Sequence, residues 1–142
     1  MEIKELNPEV FDSAFELLAE AKLDSSDLKQ PNIRLFRFEE NDQIIGVGGL
    51  EIVDDLALLR SVTVKSDLQN KGIGTQIVSI IEKVAKESGV STLFLLTTTA
   101  SGFFKAKGYQ SINRDDFADP LKQTMQFSNL CPASAICMKK EL

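Results

Sequence analysis

Histidine is absent from the 142 residues of the chain. Its absence excludes Ser-His-Asp and Cys-His catalysis within one subunit, and it removes the usual histidine-containing zinc sites. Acid-base chemistry therefore falls to Asp, Glu, Tyr, Lys, Cys, water or the substrate, and we expect no metal cofactor.

Cysteine and positive charge are scarce. The two cysteines, Cys131 and Cys137, form neither a CxxC pair nor a secreted disulfide framework, so we expect reduced thiols. Lys and Arg number 16 against 21 Asp and Glu, giving a net charge of -5. This balance argues against nucleic acid as a partner, because phosphate binding needs clustered positive charge.

Long apolar runs are missing too. No stretch reaches the ~18 residues of a membrane span, and residues 1–6 lack the basic and apolar regions of a secretory signal. The sequence therefore predicts a soluble cytoplasmic protein with no membrane partner. With 43% hydrophobic residues, the chain can bury a core as one domain over residues 1–142.

The hydrophobic spacing predicts alternating strands and helices. In order, these are a strand at 2–6, a helix from Asn7-Pro8 to about Lys22, strands at 33–39, 44–53 and 56–64, a helix from about Gly74 to Gly89, a strand at 92–96, a helix at 100–107, a strand at 109–112, a helix from Asp119 to about Gln126, and a closing strand at 135–139. Asp24 to Asp27 are interpreted as the cap of a further turn. Short turns favour an antiparallel meander for the strands between 33 and 64, the last of them central. The following strand-helix-strand unit predicts a parallel pair, and the fold class is α/β.

The turn before the long helix is the most informative segment. Gly72 and Gly74 let the backbone approach a ligand, and a helix N-terminus with Lys71 beside it suits a pyrophosphate. Many such turns only connect two elements, so that alternative stays open. The spacing fits neither a P-loop nor the dinucleotide GxGxxG fingerprint.

Residues 64–75, VKSDLQNKGIGT, resemble motif A of the GNAT acetyltransferase superfamily, and residues 103–109, FFKAKGY, resemble its later FYEKLGF segment. The resemblance implies a mixed, mostly antiparallel sheet of six to seven strands, splayed at the cofactor site and flanked by helices. It also implies acetyl-CoA as co-substrate and an N-acetyltransferase activity. The segment from Leu96 to Tyr109 is similar to N-acetylglutamate synthases, and residues 126–135 to acetyltransferases encoded with arsenic-resistance genes.

The resemblance also implies which residues bind coenzyme A. They are Val62, Val64, Gln69, Asn70, Lys71, Gly72, Ile73, Gly74, Thr75, Thr97 and Phe104. The backbones of Val62 and Val64 pair with the pantetheine arm, while their side chains belong to the core. The N-H groups from Asn70 to Thr75 hold the pyrophosphate, and Lys71 either assists them or is a solvated turn lysine. Thr97 stands where many relatives have asparagine.

Phe104 occupies the position of a tyrosine that protonates the departing thiolate in many relatives. The remaining donors are Cys131, Tyr109 or water, unless the thiolate leaves unprotonated. We expect the Val64 N-H to stabilise the carbonyl oxyanion, and Glu51 is the candidate base through a water molecule. The alternative for Glu51 is an ordinary surface carboxylate.

Arg60 stands in an otherwise apolar strand, where an unpaired charge is costly. It is expected either to bind a substrate carboxylate through its guanidinium or to form a structural ion pair with an acidic neighbour. Arg34, on the adjacent hairpin, is a second substrate candidate. Cys131 and Ser134 are candidates because the tail resembles segments that line the acceptor pocket.

Two classes of function are compatible with these features. The first is acetyl transfer to a small amino-acid-like amine, including arsenical or phosphinic analogues. The second is a non-catalytic acyl-CoA sensor or protein-interaction module, favoured by Phe104 and the lack of an obvious base. A protein or polyamine acceptor ranks third. A homodimer is compatible with the sequence.

Overall fold

The computed structural model describes residues 1–7, 12–23, 26–124, 127 and 134–142. Its strands are β1 (Glu2–Glu5), β2 (Ile33–Glu40), β3 (Gln43–Val53), β4 (Leu56–Val64), β5 (Thr92–Thr97), β6 (Gln110–Ile112) and β7 (Ile136–Glu141). Its helices are α1 (Ser13–Glu20), α2 (Ile73–Glu87), α3 (Ser101–Ala106) and α4 (Asp119–Lys122), with 3-10 turns at Ser66–Leu68 and Arg114–Asp116. None of the helices described here is long and apolar enough to cross a membrane.

The strands form one sheet in the order β1-β2-β3-β4-β5-β7-β6. The predicted antiparallel meander, the central position of β4 and the parallel β4-β5 pair are all confirmed. The sheet is mixed and mostly antiparallel, as the resemblance implied. The last strand was expected to close the sheet, but β7 lies between β5 and β6, so β6 forms the edge.

The two faces of the sheet carry different helices. Alternate residues of β2 separate onto them, since Phe36 belongs to the buried cluster under α2 and Leu35 to the cluster under α1. Helix α2 lies close to the sheet because β3 carries Gly48 beneath it. A Cβ atom at Gly48 would lie 2.2 Å from the Cδ1 of Ile81, so a larger residue would force that side chain to move.

The start of α1 differs from the prediction. Asp12, not Asn7, caps the helix, with its Oδ1 accepting from the Ala14 N-H at 2.9 Å. The extended backbone of Asp12, with φ of -149°, prevents the helix from continuing backwards through it. Pro8, the predicted first helical position, the first apolar positions of that helix, and the predicted end of the last helix near Gln126 lie outside the described residues.

Candidate functional site

The neighbouring strands β4 and β5 separate after a short pairing. They pair over Leu56–Leu58 and Thr92–Phe94, whereas β4 runs on to Val64 and β5 to Thr97. Where they part, the register between β3 and β4 shifts, so that Ser61 and Val62 together face Gly48. Ser61 has a φ of 60°. This β-bulge bends β4 away from β5 and opens a gap in the middle of the sheet.

Beyond the bulge, the backbone of β4 presents polar groups to this gap. The Lys65 N-H donates to the Ile45 carbonyl on β3 at 2.9 Å. In an antiparallel ladder, successive residues direct their N-H and C=O groups to opposite sides. The backbone groups of Val64, and by the same alternation those of Val62, therefore point away from β3 towards the gap.

The turn into α2 leaves the start of the helix uncapped. Asn70 and Gly72 both have positive φ, 65° and 81°, and no side chain caps the first turn. A Cβ atom at Gly72 would have no neighbour within 4 Å, so the N-terminus of α2 faces open space. The first N-H groups of a helix lack intrahelical partners, and the helix dipole makes such an end suitable for an anion. Gln69 closes the turn by donating from its amide to the Val64 carbonyl at 3.2 Å.

Two connected spaces follow from this geometry. The groove between the turn and α3 has a volume of about 860 Å³, and it is lined by Val62, Thr63, Val64, Leu68, Gln69, Asn70, Gly72, Gly74, Thr75, Thr99, Ala100, Gly102, Phe103 and Phe104. A cavity of about 200 Å³ in the strand gap is lined by Leu23, Leu59, Arg60, Ser61, Val62, Leu95, Leu96, Thr97, Thr98, Thr99, Ala100 and Phe104. Val62, Thr99, Ala100 and Phe104 line both spaces, so the cavity adjoins the groove.

The other predicted cofactor residues lie near the groove in different ways. Lys71 is exposed beside the turn and is not among the residues described as lining the groove. Ile73 packs its side chain against the main core, which leaves its backbone at the start of α2. The carbonyl of Thr75 accepts from the Lys107 Nζ at 3.3 Å, which ties α2 to α3. The Thr97 hydroxyl accepts from the Ala100 N-H at 3.0 Å, so it shapes the loop before α3.

Phe104 supplies an apolar wall where the groove meets the cavity. Its ring packs edge-on against Phe103 and Tyr109, with centroids 5.0 and 5.5 Å away. The Tyr109 hydroxyl points elsewhere and donates to the Glu82 Oε2 at 2.9 Å. Burial, reinforced by the Glu82 carboxylate, raises the pKa of Tyr109 far above its ordinary value, which makes it a poor proton donor.

Arg60 lies in a buried ion triad. Its guanidinium donates through Nη1 and Nη2 to the two carboxylate oxygens of Asp27 at 2.5 and 2.6 Å. Nη1 also donates to the Glu51 Oε1 at 3.0 Å. The structure thus forms the ion pair that was one of the two alternatives for Arg60, with both terminal nitrogens engaged by carboxylates of the protein.

Glu51 is not the surface carboxylate considered as its alternative, because only 2% of it is exposed. It lines a separate shallow pocket of about 420 Å³ with Gln30, Asn32, Val53, Pro120, Gln123 and Thr124. Burial raises the pKa of the Glu51 carboxyl, although the nearby Arg60 charge opposes this. Arg60 lines the cavity in the strand gap and bonds to Glu51, which is not among the described lining residues of that cavity. Arg60 therefore lies between Glu51 and the cavity.

The remaining substrate candidates are not brought to the cavity. Arg34 donates through Nη2 and Nε to Glu5 and through Nη1 to the Ser88 Oγ at 3.2 Å, on another part of the surface. Ser134 is exposed and is absent from the described linings. Cys131 lies outside the described residues.

Sequence reasoning missed Asp27 and Ser61. The signal for Asp27 was Arg60 itself, because a buried guanidinium requires a carboxylate, but nothing in the sequence selects one acidic residue among 21. Asp27 was instead assigned to a helix cap. A bulge has no sequence signature when its left-handed residue is serine instead of glycine.

Comparisons with known proteins agree with this geometry. Residues 2–109 match the family model described as acetyltransferase (GNAT) family. An uncharacterised N-acetyltransferase of Chlorobaculum tepidum is 42% identical over 82 residues, which span 58% of this chain and 50% of that protein's length. An amino-acid acetyltransferase of Pasteurella multocida is 31% identical over 70 residues, covering 49% of this chain and 16% of that protein.

Solved structures share the fold at low identity. N-acetylglutamate synthase of Neisseria gonorrhoeae, complexed with coenzyme A and N-acetyl-glutamate, superposes with a TM-score of 0.79 at 16% identity, over 100% of this chain and 35% of that one. A GNAT family acetyltransferase of Elizabethkingia anophelis with acetyl-CoA bound gives a TM-score of 0.76 at 19% identity, over 99% of this chain and 97% of that one.

Proposed function

The chain belongs to the acetyltransferase (GNAT) family, and on that basis we propose that it transfers an acetyl group from acetyl-CoA to the amine of a small, amino-acid-like acceptor. The observation that carries the proposal is the gap between β4 and β5, which joins a long groove to a cavity of about 200 Å³. A thioester at the mouth of this cavity would meet an acceptor from the other side. Acetyl-CoA is the co-substrate, and its thioester supplies the activated acetyl group.

The backbone of this chain supplies the groups that bind coenzyme A in the proposal. Val62 and Val64 line the groove with their backbones. The backbone groups of Val62 can pair with the amides of the pantetheine arm, which leaves the Val64 N-H for the reacting end of the cofactor. The N-H groups from Asn70 to Thr75 surround the open N-terminus of α2 and would hold the pyrophosphate. Lys71, solvent-exposed beside them, adds a positive charge at that end.

For the transfer itself, the amine nitrogen attacks the thioester carbonyl directly. We assign the Val64 N-H to the oxyanion, because a backbone donor fixed in a strand needs no reorganisation as charge develops. We assign Glu51 as the base that removes the first proton, which an ammonium acceptor must lose before its nitrogen can attack. Its raised pKa makes it a better base than an ordinary carboxylate, and its position behind Arg60 requires a water molecule to carry the proton.

The cavity limits the acceptor to a small group. A space of about 200 Å³ lies below the ~300–1,000 Å³ typical of drug-sized ligands, so only a compact amine fits. The hydroxyl groups of Ser61, Thr97, Thr98 and Thr99 in its wall favour a polar acceptor, such as an amino acid or an arsenical or phosphinic analogue. Arg60 has no terminal nitrogen left for the acceptor, because Asp27 and Glu51 occupy both. Arg34, Cys131 and Ser134 stay predictions.

A non-catalytic acyl-CoA sensor is the second candidate. It is favoured by Phe104, which lines the site without a proton to give. Cytoplasmic location and a homodimer also stay predictions, the first of them consistent with acetyl-CoA as co-substrate.

One assay separates these functions. Purified protein would be incubated with acetyl-CoA and a panel of amino acids, polyamines, lysine peptides, and phosphinic or arsinic analogues, while free thiol and acetylated product are both followed. We expect turnover with amino-acid-like acceptors. Turnover with polyamines or peptides alone would contradict the acceptor class, and tight acetyl-CoA binding without any product would favour the sensor.

A further inference from the structure

Ser61 is held in a backbone conformation that serine rarely adopts. Its φ of 60° lies in the left-handed region, and the other non-glycine residues described with positive φ all lie in turns. In the described strands, Ser61 is thus the one non-glycine residue in this conformation. Such a residue costs about 1–3 kcal/mol, so the surrounding structure must hold it in place. This strained residue lies where β4 and β5 separate. Strained backbone conformations cluster at functional sites, so its position suggests a functional role.

The Ser61 hydroxyl lies beside the buried guanidinium of Arg60. The Arg60 Nε approaches the Ser61 Oγ at 3.5 Å as a long hydrogen-bond donor. Arg60 is itself immobilised by Asp27 and Glu51, with none of its side chain exposed. A hydroxyl that accepts a bond from arginine keeps its own proton free to donate in another direction.

Among the residues that the structure describes, few others near the cavity can give a proton. Among its described lining residues, hydroxyls come from Ser61, Thr97, Thr98 and Thr99. The Thr97 hydroxyl also accepts a hydrogen bond, but from the Ala100 N-H, which fixes it to the loop before α3, and Thr98 and Thr99 are exposed in the loop after β5. Phe104 has no hydroxyl. Ser61 therefore contacts an arginine and lines the same cavity as Phe104.

We propose that Ser61 is the catalytic proton donor to the sulfur of coenzyme A. The inference rests on the proposed acetyl transfer. It assigns to Ser61 the role of general acid, which Phe104 cannot fill because it has no proton to donate. As the C-N bond forms, the C-S bond breaks and its electron pair leaves on sulfur. The Ser61 proton passes to sulfur, and the Ser61 oxygen takes the surplus proton from the new amide nitrogen. Ser61 ends the step unchanged, and free coenzyme A leaves as the thiol.

Three substitutions separate the hydroxyl from the backbone strain. Ser61→Ala keeps the strain and loses the hydroxyl, Ser61→Gly removes both, and Ser61→Cys keeps an acidic proton. We expect kcat to fall about 100-fold in Ser61→Ala and Ser61→Gly while the KM for acetyl-CoA changes less than about twofold. Ser61→Cys should recover most of the rate. If Ser61→Gly is as active as the wild type, Ser61 matters only for its backbone and the proposal is overturned.

A second measurement needs no acceptor. The pKa of the thiol of bound coenzyme A is measured from the ultraviolet absorbance of its thiolate as the pH is raised. The absorbance of the free protein is subtracted from that of the complex, and wild type is compared with Ser61→Gly. A donor at sulfur stabilises the thiolate, so the thiol pKa should be about one unit lower in the wild type. Equal values, or no binding of coenzyme A, would overturn the inference. Failure of every acceptor with this difference intact would contradict only the acceptor class.

Discussion

Asp27 and Arg60 meet as a two-point pair inside the protein, with carboxylate-guanidinium distances of 2.5 and 2.6 Å and no exposed side-chain surface on either residue. Asp27 belongs to the segment between α1 and β2, whereas Arg60 lies on β4 next to the bulge. The pair therefore connects a surface turn to the strand that opens the sheet. Because Arg60 also contacts Glu51 and Ser61, Asp27 fixes the position of the guanidinium beside the cavity.

Replacing Asp27 tests this connection. Asp27→Asn leaves Arg60 with one carboxylate, and loss of a buried partner of this kind costs about 3 kcal/mol in the free energy of unfolding. The matched control is Asp12→Asn, which keeps an N-cap but weakens the partly exposed pair with Arg37 and should cost about 0.5 kcal/mol. Urea unfolding of both variants gives the comparison. Equal losses would mean that the buried pair adds no particular stability.

The α2 N-terminus can be tested with two glycines of the same helix. Gly72 and Gly89 flank its two ends, both have positive φ (81° and 88°), and a Cβ atom would meet nothing within 4 Å at either. Gly72→Glu places a negative charge where the pyrophosphate is proposed to bind, so affinity for acetyl-CoA should fall by at least ~100-fold. Gly89→Glu suffers the same backbone strain and should bind normally by calorimetry. Equal binding by the two variants would place the pyrophosphate elsewhere.

Glu51 should make stability depend on pH. Its pKa in the folded protein is raised above the ordinary 4.5, chiefly by burial. Its stabilising contribution is therefore complete below that ordinary value and is lost as the pH rises through the folded-state pKa. Compared with Glu51→Gln, the wild type should gain stability on going from neutral to acidic pH. Parallel stability curves for the two proteins, measured by urea unfolding, would contradict the raised pKa.

The same variant tests the role of Glu51 as base. Glu51→Gln should lower kcat by about 100-fold and remove the acidic limb of the pH-rate profile. Asp54→Asn, in the exposed turn after β3, is the control and should leave the profile unchanged. If Glu51→Gln keeps both its rate and its acidic limb, Glu51 serves only to hold Arg60.

Tyr109 should not take part in proton transfer. Tyr109→Phe removes the hydrogen bond to Glu82 but leaves the Lys140 Nζ within 3.0 Å of the same carboxylate. We expect the free energy of unfolding to fall by about 1 kcal/mol and kcat to stay within about twofold of the wild type. Steady-state kinetics decides between this result and the earlier alternative, in which Tyr109 protonates the thiolate and kcat falls steeply.

The order of the elements was readable in the sequence because each rule involved is local. Apolar spacing gave the meander and the long helix, and the glycines at 72 and 74 marked the turn between β4 and α2. The family followed from the residues of that turn. One prediction was wrong because two local signals competed: Asn7-Pro8 is a typical helix start, but Asp12 caps the helix. A second was wrong because no local signal exists for strand order, and the last strand inserts between β5 and β6.

The site itself required the tertiary structure. The sequence determined that an arginine stands in an apolar strand and that phenylalanine replaces a tyrosine at position 104. Only the folded chain decided that Asp27 would neutralise Arg60, that Glu51 would lie behind it, and that Ser61 would bulge into the gap. Asp27 and Arg60 are 33 positions apart in the sequence, and even Glu51 and Arg60, nine apart, meet only across paired strands. Pairings at such separations follow from how the strands and turns pack together, and no local pattern encodes them.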